Sequence, residues 1–257
     1  MSEHSRFYTR SLLNTKPSLP DQQPDVIAAT PGIYHHVVSP QNTVIPISFV
    51  RRLPPEFGPL MFLATATVEN KAEECLVKLV YGRYGTEVHD ELAKILLAPR
   101  LFGTLAIPGA PIAIAMEHLQ PPSPGKEGWV TLFSLGKNIE SDAQRGLALA
   151  VHEIVQKLEQ ANLVHGDLRL NNLMVHVNGD GKILLVDGKA RIKVIDFDWS
   201  GKRGRVAYPR WRNAKIAWPA DLGESISPHY DRKLVERWWK ETFPNQDYPP
   251  HHTQAQT

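Results

Sequence analysis

The order of elements predicts an α+β chain built as two lobes. Three observations carry that expectation. The first half holds strand-like runs rich in β-branched and apolar residues with a single helix among them. A long amphipathic helix follows, and after it come short hairpins turned by glycine and bearing acidic and amide side chains. Strands first and helices later segregate into a β-rich N-terminal lobe and a short, truncated C-terminal lobe, with a cleft between them where a ligand would bind. The chain's 257 residues allow one large domain or two lobes, and a 42% hydrophobic composition is enough for a sizeable core.

Residues 14–42 carry Pro17, Pro20, Pro24, Pro31 and Pro40 among polar neighbours, so 1–42 is expected to be a flexible or extended arm. The compositional pattern places the domain at 43–243, with the first lobe at about 43–117 and the second at about 118–243; the polar, proline-rich 244–257 is expected to be a disordered tail. No internal repeat is visible. Within the first lobe, 43–50, 60–69 and 75–80 are expected to be strands. A helix follows at 86–97, opened by Thr86 as N-cap and stopped before Pro99, and then strands at 100–103 and 111–117. Pro121-Pro122-Ser123-Pro124-Gly125 breaks the pattern, and a short helix is expected at about 130–137. The clearest helix is 142–161, where Leu147, Val151, Ile154, Val155 and Leu158 recur at helical spacing. Strands at 173–177, 183–187 and 191–195 are joined by the turns Asn178-Gly179-Asp180-Gly181 and Asp187-Gly188-Lys189. Asn178 to Lys182 lacks the terminal glutamate and alternating ligands of a Ca²⁺ loop, so it is a hairpin turn. A last helical segment holds Leu234, Trp238 and Trp239, with Asp231 at its start.

Bulk properties exclude several classes. A formal net charge of +2 gives no general attraction to nucleic acid or to a membrane surface. The single cysteine, Cys75, forbids an internal disulfide and fits a reducing compartment, so an intracellular, cytoplasmic protein is expected. Met1 to Lys16 has no continuous apolar stretch; it resembles a tail more than a secretory leader or a presequence. No apolar run is long enough to span a bilayer.

The chemistry concentrates in two segments, Leu163-Val-His-Gly-Asp-Leu-Arg-Leu-Asn-Asn-Leu-Met-Val175 and Ile192-Lys-Val-Ile-Asp-Phe-Asp198. Asp167 and Asn172 are five residues apart next to an apolar strand, and Asp196 ends another. Phosphoryl transfer needs such a set: one carboxylate to orient or deprotonate a hydroxyl, and an amide with a second carboxylate to hold Mg²⁺ on the phosphates. Turn-forming loops use the same residue types, but chance does not explain Asp167, Asn172 and Asp196 in this order with strands between them.

This spacing resembles H-R-D-x-x-x-x-N followed by D-F-G, written here His165-Gly166-Asp167, Asn172 and Asp196-Phe197-Asp198. Over roughly 43–235 the chain resembles the protein-kinase-like superfamily, and most of all the fungal (basidiomycete-like) protein-kinase-like proteins whose catalytic motif begins His-Gly-Asp. Aminoglycoside and choline kinases write that loop the same way. The resemblance implies a protein-kinase-like fold and an ATP- and Mg²⁺-dependent phosphotransferase acting on a hydroxyl of a protein or small molecule. By it, Lys78 in Cys75-Leu76-Val77-Lys78 would hold the nucleotide phosphates, paired with Glu87 or Glu91, which share one helix face. Met116 would back the adenine pocket, and backbone groups of Glu117 and Leu119 would meet the base. Asp167 would be the base, Arg169 would face the γ-phosphate where kinases usually carry lysine, and Asn172 and Asp196 would bind Mg²⁺. His165 would orient the loop. Asp231 would brace the loop's backbone or simply cap its helix.

Three departures stand against that pattern. No G-x-G-x-x-G lies between the first two strands; 51–60 offers only Gly58 among prolines. Gly166 replaces the arginine of H-R-D, so switching by an activation-loop phosphate is not expected. Asp198 replaces the glycine of D-F-G, and no A-P-E follows. The runner-up is therefore a nucleotide-binding pseudokinase or scaffold; an interaction domain without nucleotide comes third. Lys202, Arg203, Arg205, Arg210, Arg212 and Lys215, with Tyr208, Trp211 and Trp218 among them, read as a solvated loop or a basic rim for an anionic substrate or ATP, more simply than as a nucleic-acid surface.

Overall fold

The structure is a computed structural model that describes residues 31–54, 58, 60–137 and 139–248. The expected proline-rich arm before residue 31 and the tail beyond 248 lie outside the described residues, as does most of the 55–59 segment. The chain forms two compact units: the described residues up to Arg83 with Arg100–His118, and Tyr84–Pro99 with the residues from Leu119 onward.

The first unit is all β. Strands β1 (His36–Val38), β2 (Val44–Arg52), β3 (Met61–Val68), β4 (Lys71–Val80), β5 (Leu101–Leu105) and β6 (Ile112–Glu117) form a barrel in the order β1-β2-β3-β4-β6-β5, closed where Val38 meets Thr104. The alternation of the strands explains the core. Ile45 and Ile47, then Phe62, Ala64 and Ala66, then Cys75, Val77 and Leu79 all turn inward with Phe102, Ala113 and Ala115. The small residues among them suit the narrow interior of six strands. Closure depends on Gly103, because a Cβ there would stand 2.5 Å from the Val38 carbonyl oxygen. The sheet thus begins at His36, inside the stretch expected to be an arm. Three backbone pairs with β2 override the local composition there.

The second unit holds helices α1 (Thr86–Lys94), α2 (Leu132–Leu135), α3 (Ser141–Gln160) and α4 (Pro228–Thr242), with short strands between them. Strands β7 (Gly128–Thr131), β9 (Leu173–Val177) and β12 (Ile192–Val194) make an antiparallel sheet in the order β12-β9-β7. Strands β10 (Leu185–Val186) and β11 (Lys189–Ala190) form a hairpin, and β8 (Leu163–Val164) pairs with β13 (Gly201–Lys202). Helix α3 buries the expected Leu147, Val151, Ile154, Val155 and Leu158 against this sheet and α4. Gly146 admits the β10–β11 hairpin onto α3, since a Cβ would meet Leu185 at 2.6 Å and the Gly188 oxygen at 3.0 Å. Arg232 of α4 grips Glu159 of α3 through Nε at 2.8 Å and Nη2 at 2.5 Å.

Several boundaries differ from expectation. Thr86 is the first helical residue; Gly85 is the cap, without a side-chain bond. The helix ends at Lys94 because Leu96 adopts φ +64°, which stops α-helical hydrogen bonding well before Pro99. The stretch about 130–137 is half strand: β7 runs to Thr131, whose hydroxyl oxygen then accepts the Ser134 N–H and caps the one-turn α2. Beyond α4, Tyr248 packs on Trp239 at 5.4 Å between ring centres, inside the segment expected to be a tail. No helix among the described residues is long and apolar enough to cross a membrane.

Candidate functional site

The loop after β8 is fixed from two sides before any functional side chain is considered. Asp231, one turn inside α4 and 1% exposed, accepts the backbone N–H groups of His165 at 2.7 Å and Gly166 at 2.8 Å. Ser227 occupies the cap position of α4, so the aspartate is a brace and not a cap. Burial pushes its carboxyl up to about 7, against the pull of those two hydrogen bonds. Trp238, two turns on, donates its indole N–H to the Leu168 carbonyl at 3.1 Å. From the other side the Ser200 hydroxyl donates to the His165 carbonyl at 2.9 Å. His165 is fully buried; its Nε2 donates to the Ile195 carbonyl at 3.1 Å and its Nδ1 accepts the Asp167 N–H at 3.3 Å. Burial lowers its pKa to about 4, so it stays neutral and orients the loop. Gly166 sits at φ +82° with Trp199 and Ile226 against its α-carbon.

This frame delivers Asp167, Arg169 and Asn172 to one place. The Asp167 carboxylate is gripped by Arg169, Nε on Oδ1 and Nη2 on Oδ2 at 2.8 Å. Asn172, on the 3-10 turn Leu170–Asn172, donates Nδ2 to the Asp167 carbonyl at 2.8 Å and to Oδ2 at 3.0 Å. Burial raises the Asp167 carboxyl to about 6, while Arg169 holds it down. Strand pairing brings in the third acid: β12 runs antiparallel to β9, Ile195 N–H donates to the Asn172 carbonyl at 2.9 Å, and Asp196 follows at φ +68°. Left-handed backbone at a non-glycine residue is held only by its surroundings and recurs at functional sites.

A column of rings that the sequence reading did not anticipate supports Asp196. Phe197 is buried edge-on to His165, centroids 5.3 Å apart, and its other ring neighbours are His89 of α1, stacked at 4.5 Å and 7°, and Tyr84, edge-on at 6.1 Å. His89 is wholly buried; its Nε2 donates to the Pro99 carbonyl at 2.8 Å and its Nδ1 accepts the Tyr84 hydroxyl at 2.8 Å. Its helical neighbours Val88 and Leu92, both apolar, were the available signal that this face of α1 is the buried one.

Of the residues expected to meet nucleotide, Lys78 lies partly buried on β4 between Met61 and Ile114, within the first unit. Met116 is buried on β6; Glu117 exchanges two hydrogen bonds with Arg100, accepting its N–H on the side chain and donating its own N–H to its carbonyl. Leu119 opens the second unit's second segment. On α1, Glu91 pairs with Lys94 at 2.8 Å and Glu87 with Lys202 at 2.9 Å, and all four side chains are at least half exposed. Among the described residues no three His, Cys, Asp or Glu side chains cluster as a metal site. The available donors fit Mg²⁺ none the less: with both amide hydrogens of Asn172 on Asp167, its Oδ1 faces away from that contact, and one amide oxygen with the Asp196 carboxylate is the sparse, all-oxygen set Mg²⁺ uses when phosphates complete its shell.

The solved structure of the Cydia pomonella granulovirus kinase, PK-1, superposes with a TM-score of 0.52 at 16% identity, covering 79% of this chain and 69% of that one. The chain has a protein-kinase-like fold. The family model described as lipopolysaccharide kinase (Kdo/WaaP) matches residues 130–240, the stretch that contains Asp167, Asn172, Asp196 and Asp231. Together the two similarities support a place in the protein-kinase-like superfamily. No curated protein is significantly similar to the chain.

Proposed function

We propose that the protein is an ATP- and Mg²⁺-dependent phosphotransferase that moves the γ-phosphate to a hydroxyl acceptor. The observation that carries this reading is the braced loop: Asp167 and Asn172 are hydrogen-bonded to each other, and Asp196 is tied to Asn172 through the adjoining backbone. The kinase-like match over 130–240 supports the same reaction class. Asn172 and Asp196 are the residues that would hold Mg²⁺, which supplies charge neutralisation on the phosphates. Lys78 is assigned to the nucleotide phosphates from its place near the end of a buried strand. Met116 and the backbone of Glu117 and Leu119 are assigned to the base.

Asp167 takes the acceptor's proton as the acceptor oxygen bonds to the γ-phosphorus and the bond to the β-phosphate oxygen breaks. A carboxyl raised to about 6 is better matched to that task than an exposed aspartate. Arg169 covers both carboxylate oxygens. A γ-phosphate offers the same guanidinium three oxygens, so nucleotide would draw Arg169 from Asp167 and open the carboxylate to the hydroxyl. The residual function, if Arg169 stays in place, is the nucleotide-binding pseudokinase, and the bidentate grip is the observation that favours it.

Asp167→Asn decides between them. It keeps Mg-ATP binding by calorimetry and loses transfer of radiolabelled phosphate to panels of proteins and small hydroxyl compounds. Equal transfer by wild type and variant removes Asp167 from the role of base; a wild type that binds Mg-ATP and neither transfers nor hydrolyses is the pseudokinase. Lys78→Ala and Asp196→Ala each weaken Mg-ATP binding about tenfold or more, the cost of one charge-assisted contact.

A further inference from the structure

The basic loop that follows Asp198 carries six cations from Lys202 to Lys215, and one of them is placed unlike the rest. Arg212 lies with its guanidinium carbon 4.9 Å from the Tyr208 ring centre and 5.4 Å from that of Trp218. The opposite claim on Trp218 is made by Arg169, the residue that grips Asp167, at 5.1 Å. One indole therefore links the candidate base to a second guanidinium. Arg212 Nη2 donates to the Ala220 carbonyl at 2.5 Å, whereas Nη1 is shut off from water with no acceptor. The carboxylate that Arg212 feels is that of exposed Glu224, which it helps to hold low, but Glu224 takes its hydrogen bond from the Tyr230 hydroxyl and none from Nη1. A guanidinium N–H closed away from water without an acceptor is costly and rare, and a missing anionic ligand is one of the few ways to satisfy it. Flanking aromatic faces fix a guanidinium in orientation, as a bidentate anion site requires.

We infer that Arg212, held between Tyr208 and Trp218, is the anchor of an acceptor subsite, and that the acceptor is a small hydroxyl compound bearing a carboxylate or phosphate. The inference rests on the phosphotransferase reading for the word acceptor, and on Arg212 alone for the anion. The anion docks on Nη1 with a local shift of the 209–220 loop, and the Trp218 ring sets its hydroxyl on the side of Asp167.

The test is calorimetry on the full chain saturated with Mg²⁺ and a non-hydrolysable ATP analogue. Glycerol 3-phosphate, D-glycerate, inorganic phosphate and glycerol are the probes; the first two separate a phosphate from a carboxylate and the last lacks either. One or both anionic alcohols bind, glycerol does not, and Arg212→Gln weakens the anions about tenfold or more while the analogue's affinity holds. Arg212→Lys, which keeps the charge and the packed stem, gives intermediate affinity and carries the comparison if the glutamine variant unfolds. Equal anion binding by wild type and both variants, no anion binding by wild type, or glycerol binding as well as the anions overturns the inference. So does a glutamate-flanked serine peptide that binds through Arg212 where the small anions do not. A wild type that binds the analogue and no anion refutes the subsite alone. A wild type that binds the anions through Arg212 and no analogue keeps the subsite and refutes the phosphotransferase.

Discussion

Gly166 stands where many kinase-type loops have arginine, and the structure gives a physical reason why this chain tolerates no side chain there. Its φ of +82° is left-handed, costing an L-residue about 1–2 kcal/mol. A Cβ would come within 2.9 Å of Ile226 Cδ1 and 3.2 Å of both the Cβ and the carbonyl oxygen of Trp199. The Ile226 methyl is the end of a flexible side chain and can yield. The Trp199 backbone cannot yield freely, because its neighbour Ser200 is tied to His165 and Phe197. Overpacking of this kind adds about 1–3 kcal/mol, so Gly166→Ala is expected to destabilise the chain by roughly 2–5 kcal/mol. Gly166→Arg, which restores the commoner motif, is expected to do worse, since its further atoms must leave through the same wall. Urea denaturation followed by tryptophan fluorescence measures this as a lowered midpoint at unchanged slope. If Gly166→Ala leaves the midpoint within error of wild type, the left-handed, walled-in geometry of this loop is wrong, and the argument about the motif falls with it.

Asp231→Ala strips the acceptor from two buried N–H groups and is expected to cost roughly 2–6 kcal/mol, measured by the same denaturation; Asp231→Asn, which keeps one acceptor oxygen, is expected to cost less. The Asp231 carboxyl is raised to about 7, so its titration favours folding fully below the unfolded value near 4 and that contribution is lost as pH rises through about 7. The penalty of Asp231→Asn therefore shrinks from pH 4 to pH 8; a penalty that grows with pH contradicts the assignment. The kcat/KM for Mg-ATP, which reports the free protein, is expected to rise as pH passes about 6, where Asp167 held by Arg169 loses its proton, and a kcat/KM flat from pH 5 to 7 removes Asp167 as base. Pairing of Lys78 with Glu87 or Glu91 is tested by double-mutant cycles on Mg-ATP affinity: coupling is expected for one glutamate only, and none for either removes the pair. The present partners of these glutamates, Lys202 and Lys94, are exposed and hold them weakly.

The sequence by itself determined the strands that bring Asp167, Asn172 and Asp196, the candidate site residues, into one region. Asp167, Asn172 and Asp196 were legible because their positions relative to apolar runs are local facts, and the α3 core face was legible because helical periodicity is local too. The strands of the first unit were legible as apolar, β-branched runs, whereas their closure into a barrel was not, because it rests on pairing between distant strands. Tertiary structure decided what depends on contacts between distant residues. Strand β1 exists because β2 and β5 supply its hydrogen bonds, although its composition is that of an arm. Asp231 is a brace because the chain folds α4 beneath a loop 65 residues earlier; from sequence alone a cap was an equal account. Arg169 resembles a phosphate ligand by position, yet in the folded chain its ion-pair partner is Asp167. His89 carried no signal of its role, since a buried histidine stacked on Phe197 is recognised only when its hydrogen-bond partners and the opposing ring are in place. Periodicity and spacing are properties of one segment, and they specify which faces are apolar and which polar residues stand beside them. Pairing, bracing and burial of charge are properties of two segments at once, and only the packed chain fixes them.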